Sequence, residues 1–443
     1  SSSSSSSSRP PLSRAQLPFP SHSETNRFLR VRRCGSTIPV VKEVKYHVFQ
    51  TPVPQPYRST LDLADRGVVF VFVFVVVFVF VSSSRRRVSS PSIVDRMSTG
   101  RTRAVVKPST VARGERRRRP SIGRKGSSSR RAVATRDDDG VDEVRYHSWR
   151  GHRVGYRTNG ESGAAVVLIH GFGVSSYQFR ENLEALGANH RVFALDLVGF
   201  GSSSQPDAEY KMEFWRDQVI DFVENVVGEP AVLIGNSIGS LTAVHVAAES
   251  PGSTKGIALV NCAGGMNNKV KRLDGDFDGY GFQYKLIVPI FSAVLALIDT
   301  VLKIEPIAKP LFDNVRGEEN VRGALANVYM DPSRVDDGLV RSICDAASRE
   351  GAFKAFVNIL TGPAGPRPEE LMPGVSCPML IMWGTKDTIT PLNFPLGQYF
   401  YNLPKSREFR TDFVQFDGEG HCVQDDNPRL VNDALNDWVA TLN

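Results

Sequence analysis

The stretch Val232-Leu-Ile-Gly-Asn-Ser237-Ile-Gly-Ser240 decides how this chain reads. An apolar run runs into Gly-X-Ser-X-Gly, and a helix-like run, Leu241 to Ala248, follows. A serine on a sharp turn between strand and helix stands clear of the sheet, which is where a nucleophilic hydroxyl is needed. Gly235 and Gly239 carry no Cβ, so the strand and the helix can approach closely there. The five-residue pattern alone is common, and its weight comes from the strand–turn–helix context and from its neighbours.

Upstream, Tyr146 to Tyr156 reads as two strands around a glycine turn. Ala165 to His170 predicts a buried strand that ends in His170-Gly-Phe-Gly173, and Phe179 to Leu186 an amphipathic helix. Arg191 to Leu195 is the next strand, ending in Asp196-Leu-Val-Gly-Phe-Gly201. Glu213 to Val227 predicts a helix with Phe214, Val219, Phe222 and Val226 on one face. Ala231–Ile234 is the strand before the elbow, and Gly256–Val260 the strand after its helix. From Gly264 to Pro373 the chain reads as helices and loops. Strands resume at Pro378–Trp383 and Phe413–Phe416, with a closing helix at Leu430–Leu442. Alternation of this kind predicts an α/β fold, a mostly parallel doubly wound sheet covered on both faces. The core is expected over residues 137–263 and 374–443, interrupted by a helical cap over 264–373. No internal repeat is apparent.

Charge divides the chain. Residues 1–96 carry 14 Lys/Arg against 5 Asp/Glu, residues 97–136 carry 13 against 1, and the remainder carries 27 against 41. The net charge of +7 therefore averages a basic leader and an acidic globular part, and it gives no reason to expect a nucleic acid partner. Residues 1–96 begin with eight serines and contain Val68 to Val81, an almost pure Val/Phe run. At 14 residues that run is short of a membrane-spanning helix. The expectation is a leader outside the mature protein, with a membrane anchor as the alternative. Residues 97–136, from Met97 on, are rich in Arg, Ser and Thr, hold Glu115 as their one acid before Thr135, and close with Arg131-Ala-Val-Ala-Thr135. That is transit-peptide composition, shared by mitochondrial and chloroplast leaders, against the alternative of a basic tail. The five cysteines, Cys34, Cys262, Cys344, Cys377 and Cys422, form no CxxC pair and no Cys/His metal spacing.

Acyl transfer by a serine needs a nucleophile, a base, and an acid that orients the base. Ser237 is the candidate nucleophile. Asp387 follows the strand Pro378–Trp383 on the turn Gly384-Thr-Lys-Asp387, and His421 follows Phe413–Phe416 in Gly418-Glu-Gly-His421. All three lie past the carboxyl ends of expected strands, where a doubly wound sheet binds ligands. Their order, Ser, Asp, His, is that of the α/β-hydrolases. The oxyanion hole calls for two backbone N–H groups, assigned to Ile238 and Phe172. His170 is expected to shape the oxyanion loop rather than move protons, and Asp196 to anchor a turn. Asp274, Asp276, Asp278 and Asp299 are expected to face solvent or cap helices. A serine at the elbow favours ester or thioester hydrolysis through an acyl-enzyme, with no metal or organic cofactor required.

The cap contains Tyr284-Lys-Leu-Ile-Val-Pro-Ile-Phe-Ser-Ala-Val-Leu-Ala-Leu-Ile-Asp-Thr-Val-Leu302, an unusually apolar run. It suits burial against the core, and equally a lid over a long apolar substrate or a segment resting on a membrane surface.

Four stretches carry a family resemblance: Ile234–Leu241, Leu259-Val-Asn-Cys-Ala-Gly-Gly-Met-Asn-Asn-Lys269, Leu360-Thr-Gly-Pro-Ala-Gly-Pro366 and Gly420-His-Cys-Val-Gln-Asp-Asp426. With Ser240 in place of a second glycine, residues 145–443 resemble the chlorophyll dephytylases, plastid α/β-hydrolases, and resemble the pheophytinases more weakly. The resemblance implies hydrolysis of the phytyl ester of chlorophyll to chlorophyllide and phytol, a chloroplast location and association with thylakoids. It places the family's triad on Ser237, Asp387 and His421. The alternatives are a plastid esterase or lipase or a pheophytinase-like hydrolase acting on another ester, and a non-catalytic pigment- or lipid-binding protein on the same scaffold.

Overall fold

The computed structural model describes residues 143–267, 293 and 296–442. Residues 1–96 and 97–136, Asp274, Asp276 and Asp278, and most of the apolar run Tyr284–Leu302 lie outside the described residues.

Eight strands form one sheet: β1 (Arg145–Trp149), β2 (His152–Asn159), β3 (Ala165–Ile169), β4 (Arg191–Leu195), β5 (Ala231–Asn236), β6 (Thr254–Val260), β7 (Met379–Gly384) and β8 (Thr411–Phe416). Their order in space is β1-β2-β4-β3-β5-β6-β7-β8. β1 pairs antiparallel with β2, and β2 antiparallel with β4; every other pairing is parallel. The expected α/β fold with a mostly parallel sheet is present.

The parallel strands are apolar at consecutive positions because both faces are covered. Val167, Ile169, Leu233, Ile257, Leu259, Ile381 and Trp383 point into one cluster. That cluster is closed by Trp215, Val219 and Phe222 of α2 (Met212–Phe222) and by Leu241 and Val244 of α3 (Ile238–Glu249). Val166, Leu168, Val232, Ile234, Leu380 and Met382 alternate with them and point the other way. There they meet Leu183 and Leu186 of α1 (Arg180–Gly187) and Val431, Leu435 and Trp438 of α10 (Pro428–Ala440). At about 25 cal/mol per Å² of apolar surface, each such side chain contributes roughly 1.5–3 kcal/mol of burial.

Between β6 and β7 stand α4 (Glu305–Val315), α5 (Glu318–Leu325), α6 (Asp337–Ser348), α7 (Ala352–Thr361) and the short α8 (Pro368–Leu371). This insert carries its own apolar cluster, with Val321, Leu325, Val328, Tyr329, Val335 and Leu339 packed on Cys422 of the core. Residues 296–302 are helical, and Leu297, Val301, Ile304 and Ile307 stand exposed along this part of the chain. No helix among the described residues is long and apolar enough to cross a membrane.

Several elements differ from the sequence expectation. The helix expected over Glu213–Val227 is α2 followed by a π-helical turn at Val223–Val227, closed by Gly228 in the left-handed region. A helix not foreseen, α9 (Pro395–Ser406), bridges β7 and β8. Its Pro395 supplies the preset φ favoured in a first turn, while Pro404 near its end masks the pattern.

Candidate functional site

Ser237 sits between β5 and α3 with φ 56° and ψ −117°, a strained conformation for a residue with a side chain. Three backbone hydrogen bonds hold it there. Its N–H donates to Val260 O at 3.0 Å, and its carbonyl accepts from Leu241 at 3.2 Å and Ala263 at 3.1 Å. The flanking glycines are dictated by space. A Cβ on Gly235 would run into the backbone of Gly239, and one on Gly239 into the carbonyl oxygen of Ile169. Ser240 ties helix to sheet, its hydroxyl donating to Gly235 O at 2.6 Å and accepting from Val260 N at 3.0 Å.

Asp387 lies on the loop after β7, 4% exposed. Its Oδ1 accepts from the N–H groups of Ile389 and Thr390 at 2.7 and 3.0 Å. Its Oδ2 accepts from Thr390 Oγ1 at 2.6 Å, Asn261 Nδ2 at 2.6 Å and His421 Nδ1 at 2.9 Å. Burial works to raise the pKa of this carboxyl, but the charge of His421 and the donors from His421 and Thr390 outweigh it and hold it down to about 2. An ionised carboxylate only accepts, so Nδ1 of His421 carries the proton of this bond, and in the neutral ring it is Nε2 that has the free lone pair. Among the described residues no hydrogen bond reaches Nε2 or Ser237 Oγ.

The three loops are laced together by two asparagines. Asn236, just before the serine, donates to the carbonyl of His421 at 3.0 Å and to that of Val260 at 3.3 Å. Asn261, just past β6 with φ 47°, donates to Asp387 and accepts from the N–H of Gly384 at 3.3 Å. Sequence reading singled out neither side chain, although both lie inside stretches it quoted. Thr390 was missed as well.

The loop after β3 runs beside the serine, since a Cβ on Gly171 would lie 3.5 Å from Ser237 Cβ. Phe172 follows on that loop, its ring against Phe200 at 5.6 Å and Phe356 of α7 at 6.3 Å. Ile238 is the first residue of α3, where a backbone N–H has no partner within the helix. His170 is fully buried between Gly171 O at 2.7 Å and Leu197 N–H at 3.0 Å. Nε2 must accept from that amide, so Nδ1 donates to the carbonyl. Burial pushes the pKa of this ring down, against the opposing pull of Asp196, so the neutral ring braces the loop. Asp196 accepts from Ser176 N at 2.6 Å and Ser202 N at 2.7 Å, which makes it a turn anchor. Asp299 is half-buried. Among the described residues no group of His, Cys, Asp and Glu is placed to hold a metal ion. A cleft of about 380 Å³ beside Trp149, Asp217 and Asp221 shares no residue with this constellation.

A mostly parallel eight-stranded sheet, with a serine on a strained elbow after β5 and an Asp–His pair on the loops after β7 and β8, defines an α/β-hydrolase. Residues 166–434 match the profile of the Alpha/beta hydrolase family, and the chain belongs to that family. It is 25% identical over 318 residues to chloroplastic pheophytinase of Arabidopsis thaliana, which covers 63% of this chain and 61% of that protein. The chain thus spans less than two thirds of that relative's length. It is 35% identical over 254 residues to 2-hydroxymuconate semialdehyde hydrolase of Pseudomonas sp. (strain CF600), covering 55% of this chain and 78% of that protein. Among solved structures, a serine hydrolase involved in carbazole degradation (CarC) shares the fold with a TM-score of 0.51 at 19% identity, over 67% of this chain and 98% of that one.

Proposed function

We propose that this protein is a serine esterase that hydrolyses the phytyl ester of chlorophyll, giving chlorophyllide and phytol. The observation that carries the chemistry is the hydrogen bond from His421 Nδ1 to an ionised, buried Asp387, which turns Nε2 into a base. In this reading Ser237 Oγ attacks the ester carbonyl while Nε2 takes its proton. The N–H groups of Phe172 and Ile238 hold the resulting oxyanion. Collapse returns the proton from His421 to the departing phytol and leaves the chlorophyllide acyl group on Ser237. Water, deprotonated by the same imidazole, then releases the acid. The Ser–His contact closes when substrate is bound, as catalytic hydrogen bonds are often long in unliganded enzymes.

The choice of ester rests on the resemblance of residues 145–443 to chlorophyll dephytylases and on the pheophytinase among the relatives. The same support points to the chloroplast, with residues 97–136 as the targeting segment and the insert as a cap. The exposed Leu297, Val301, Ile304 and Ile307 supply an apolar surface suited to a thylakoid contact.

The test is pigment and lipid hydrolysis by the purified protein, with chlorophyll, pheophytin and a galactolipid as substrates and Ser237→Ala as control. Chlorophyllide release that vanishes in the variant is expected. Fatty acid release without chlorophyllide would transfer the assignment to a lipase, and turnover of no ester would favour a binding protein.

A further inference from the structure

Two carboxylates follow His421 closely: Asp426 is spent on the insert, and Asp425 is shared between the insert and Arg180 of α1. Asp426 accepts from two consecutive backbone N–H groups, Met330 at 2.6 Å and Asp331 at 2.9 Å, one on each oxygen. Asp425 is 1% exposed and accepts from Tyr329 Oη at 2.7 Å, from Arg180 at 2.7 Å and from Arg334 at 3.2 Å. Arg334 also donates through Nε to the Asp425 carbonyl at 2.7 Å. The two guanidinium groups are in turn paired with Asp336 and Glu181.

The contact reaches the imidazole's own residue. The N–H of His421 donates to the carbonyl of Val328 at 3.3 Å. One residue earlier, Asn327 O accepts from Thr388 Oγ1 at 3.5 Å, on the loop that carries Asp387. Residues 327–334 of the insert therefore touch the histidine loop at the His421 backbone and at Asp425 and Asp426, and touch the acid's loop as well. A buried ion pair stabilises little for its desolvation cost, but it fixes a geometry closely. That is what a base requires, because a misplacement of about 1 Å costs on the order of a hundredfold in rate.

We propose that Asp425 and Asp426 are positioning residues for His421, latching the insert segment 327–334 onto the histidine loop, so that a seated insert is a condition of a correctly aimed base. This rests on the proposed serine chemistry. The alternative is that the same contacts merely hold the insert above the substrate.

The test is steady-state hydrolysis of p-nitrophenyl butyrate by the full chain, wild type and variants, with thermal melting by circular dichroism. Asp426→Asn should lower kcat ten- to a hundredfold and change KM less than threefold. Tyr329→Phe deletes one hydrogen bond to Asp425 and keeps the ring. It should stay folded, melting a few degrees below wild type for the lost buried bond, and lower kcat about three- to tenfold. A raised KM at unchanged kcat in either variant would overturn the proposal in favour of the holding role. Should Asp426→Asn fail to fold, an unchanged kcat in Tyr329→Phe would overturn it alone. Turnover retained by Ser237→Ala would instead refute the serine chemistry, and the latch with it.

Discussion

Replacing Asn261 by alanine removes the side chain that joins the acid's loop to β6. Asn261 is fully buried and donates to the ionised Asp387 at 2.6 Å. A buried hydrogen bond to a charged group is worth about 1.5–3 kcal/mol, and the longer bond from Gly384 N–H adds about 0.5–1 kcal/mol. The backbone at φ 47° tolerates asparagine better than alanine, a further difference of about 1 kcal/mol. The expected loss is therefore roughly 3–5 kcal/mol of unfolding free energy, read by urea denaturation. Asn261→Gly separates the contributions, because glycine accepts the positive φ while losing both hydrogen bonds. It should be no less stable than the alanine variant. Both variants should also lose about ten- to a hundredfold in kcat on an ester, since Asp387 keeps Thr390 but is less firmly held. An Asn261→Ala protein within 1 kcal/mol of wild type at unchanged kcat would refute the lacing assigned to this residue.

Three further outcomes follow from the geometry. Asp387 titrates at about 2 in the fold. Against an unfolded value of about 3.9, that depression contributes roughly 2–3 kcal/mol above about pH 5, lost as pH falls through 4 toward 2. The difference in unfolding free energy between wild type and Asp387→Asn should therefore shrink across that window, and a difference constant from pH 5 to pH 2 would contradict it. Gly239→Ala forces a Cβ against Ile169 O and should cost at least about 3 kcal/mol; an unchanged thermal midpoint would show that the elbow has room. Ser240→Ala leaves Val260 N–H without its side-chain acceptor in a buried site, and should lower stability by about 1–3 kcal/mol in the same denaturation assay.

The sheet was legible because its strands are buried on both faces. Unbroken runs such as Val166–Ile169 and Val232–Ile234 leave little else for the chain to form. The elbow was legible because glycine, serine and glycine occur at the spacing its crowding demands. Asp387 and His421 could be picked out because each follows an apolar strand on a short turn, and the structure joins them directly. What could not be read is pairing at a distance. Asn236 meets His421 across 185 residues, and Asn261 meets Asp387 across 126; nothing local marks an asparagine for either task. Asp425 and Asp426 acquire their partners on the insert only when it is folded onto them. The antiparallel edge formed by β1 and β2, and the placement of β4 between β2 and β3, are likewise matters of topology, which periodicity does not encode.

The account stands on an activated hydroxyl at Ser237, and reaction with a fluorophosphonate addresses it most directly. Intact mass followed by peptide mapping should show one adduct, on Ser237, formed by the folded protein and absent from Ser237→Ala and His421→Ala. A folded wild-type protein that takes up no label, or takes it up on another residue, would contradict the central claim.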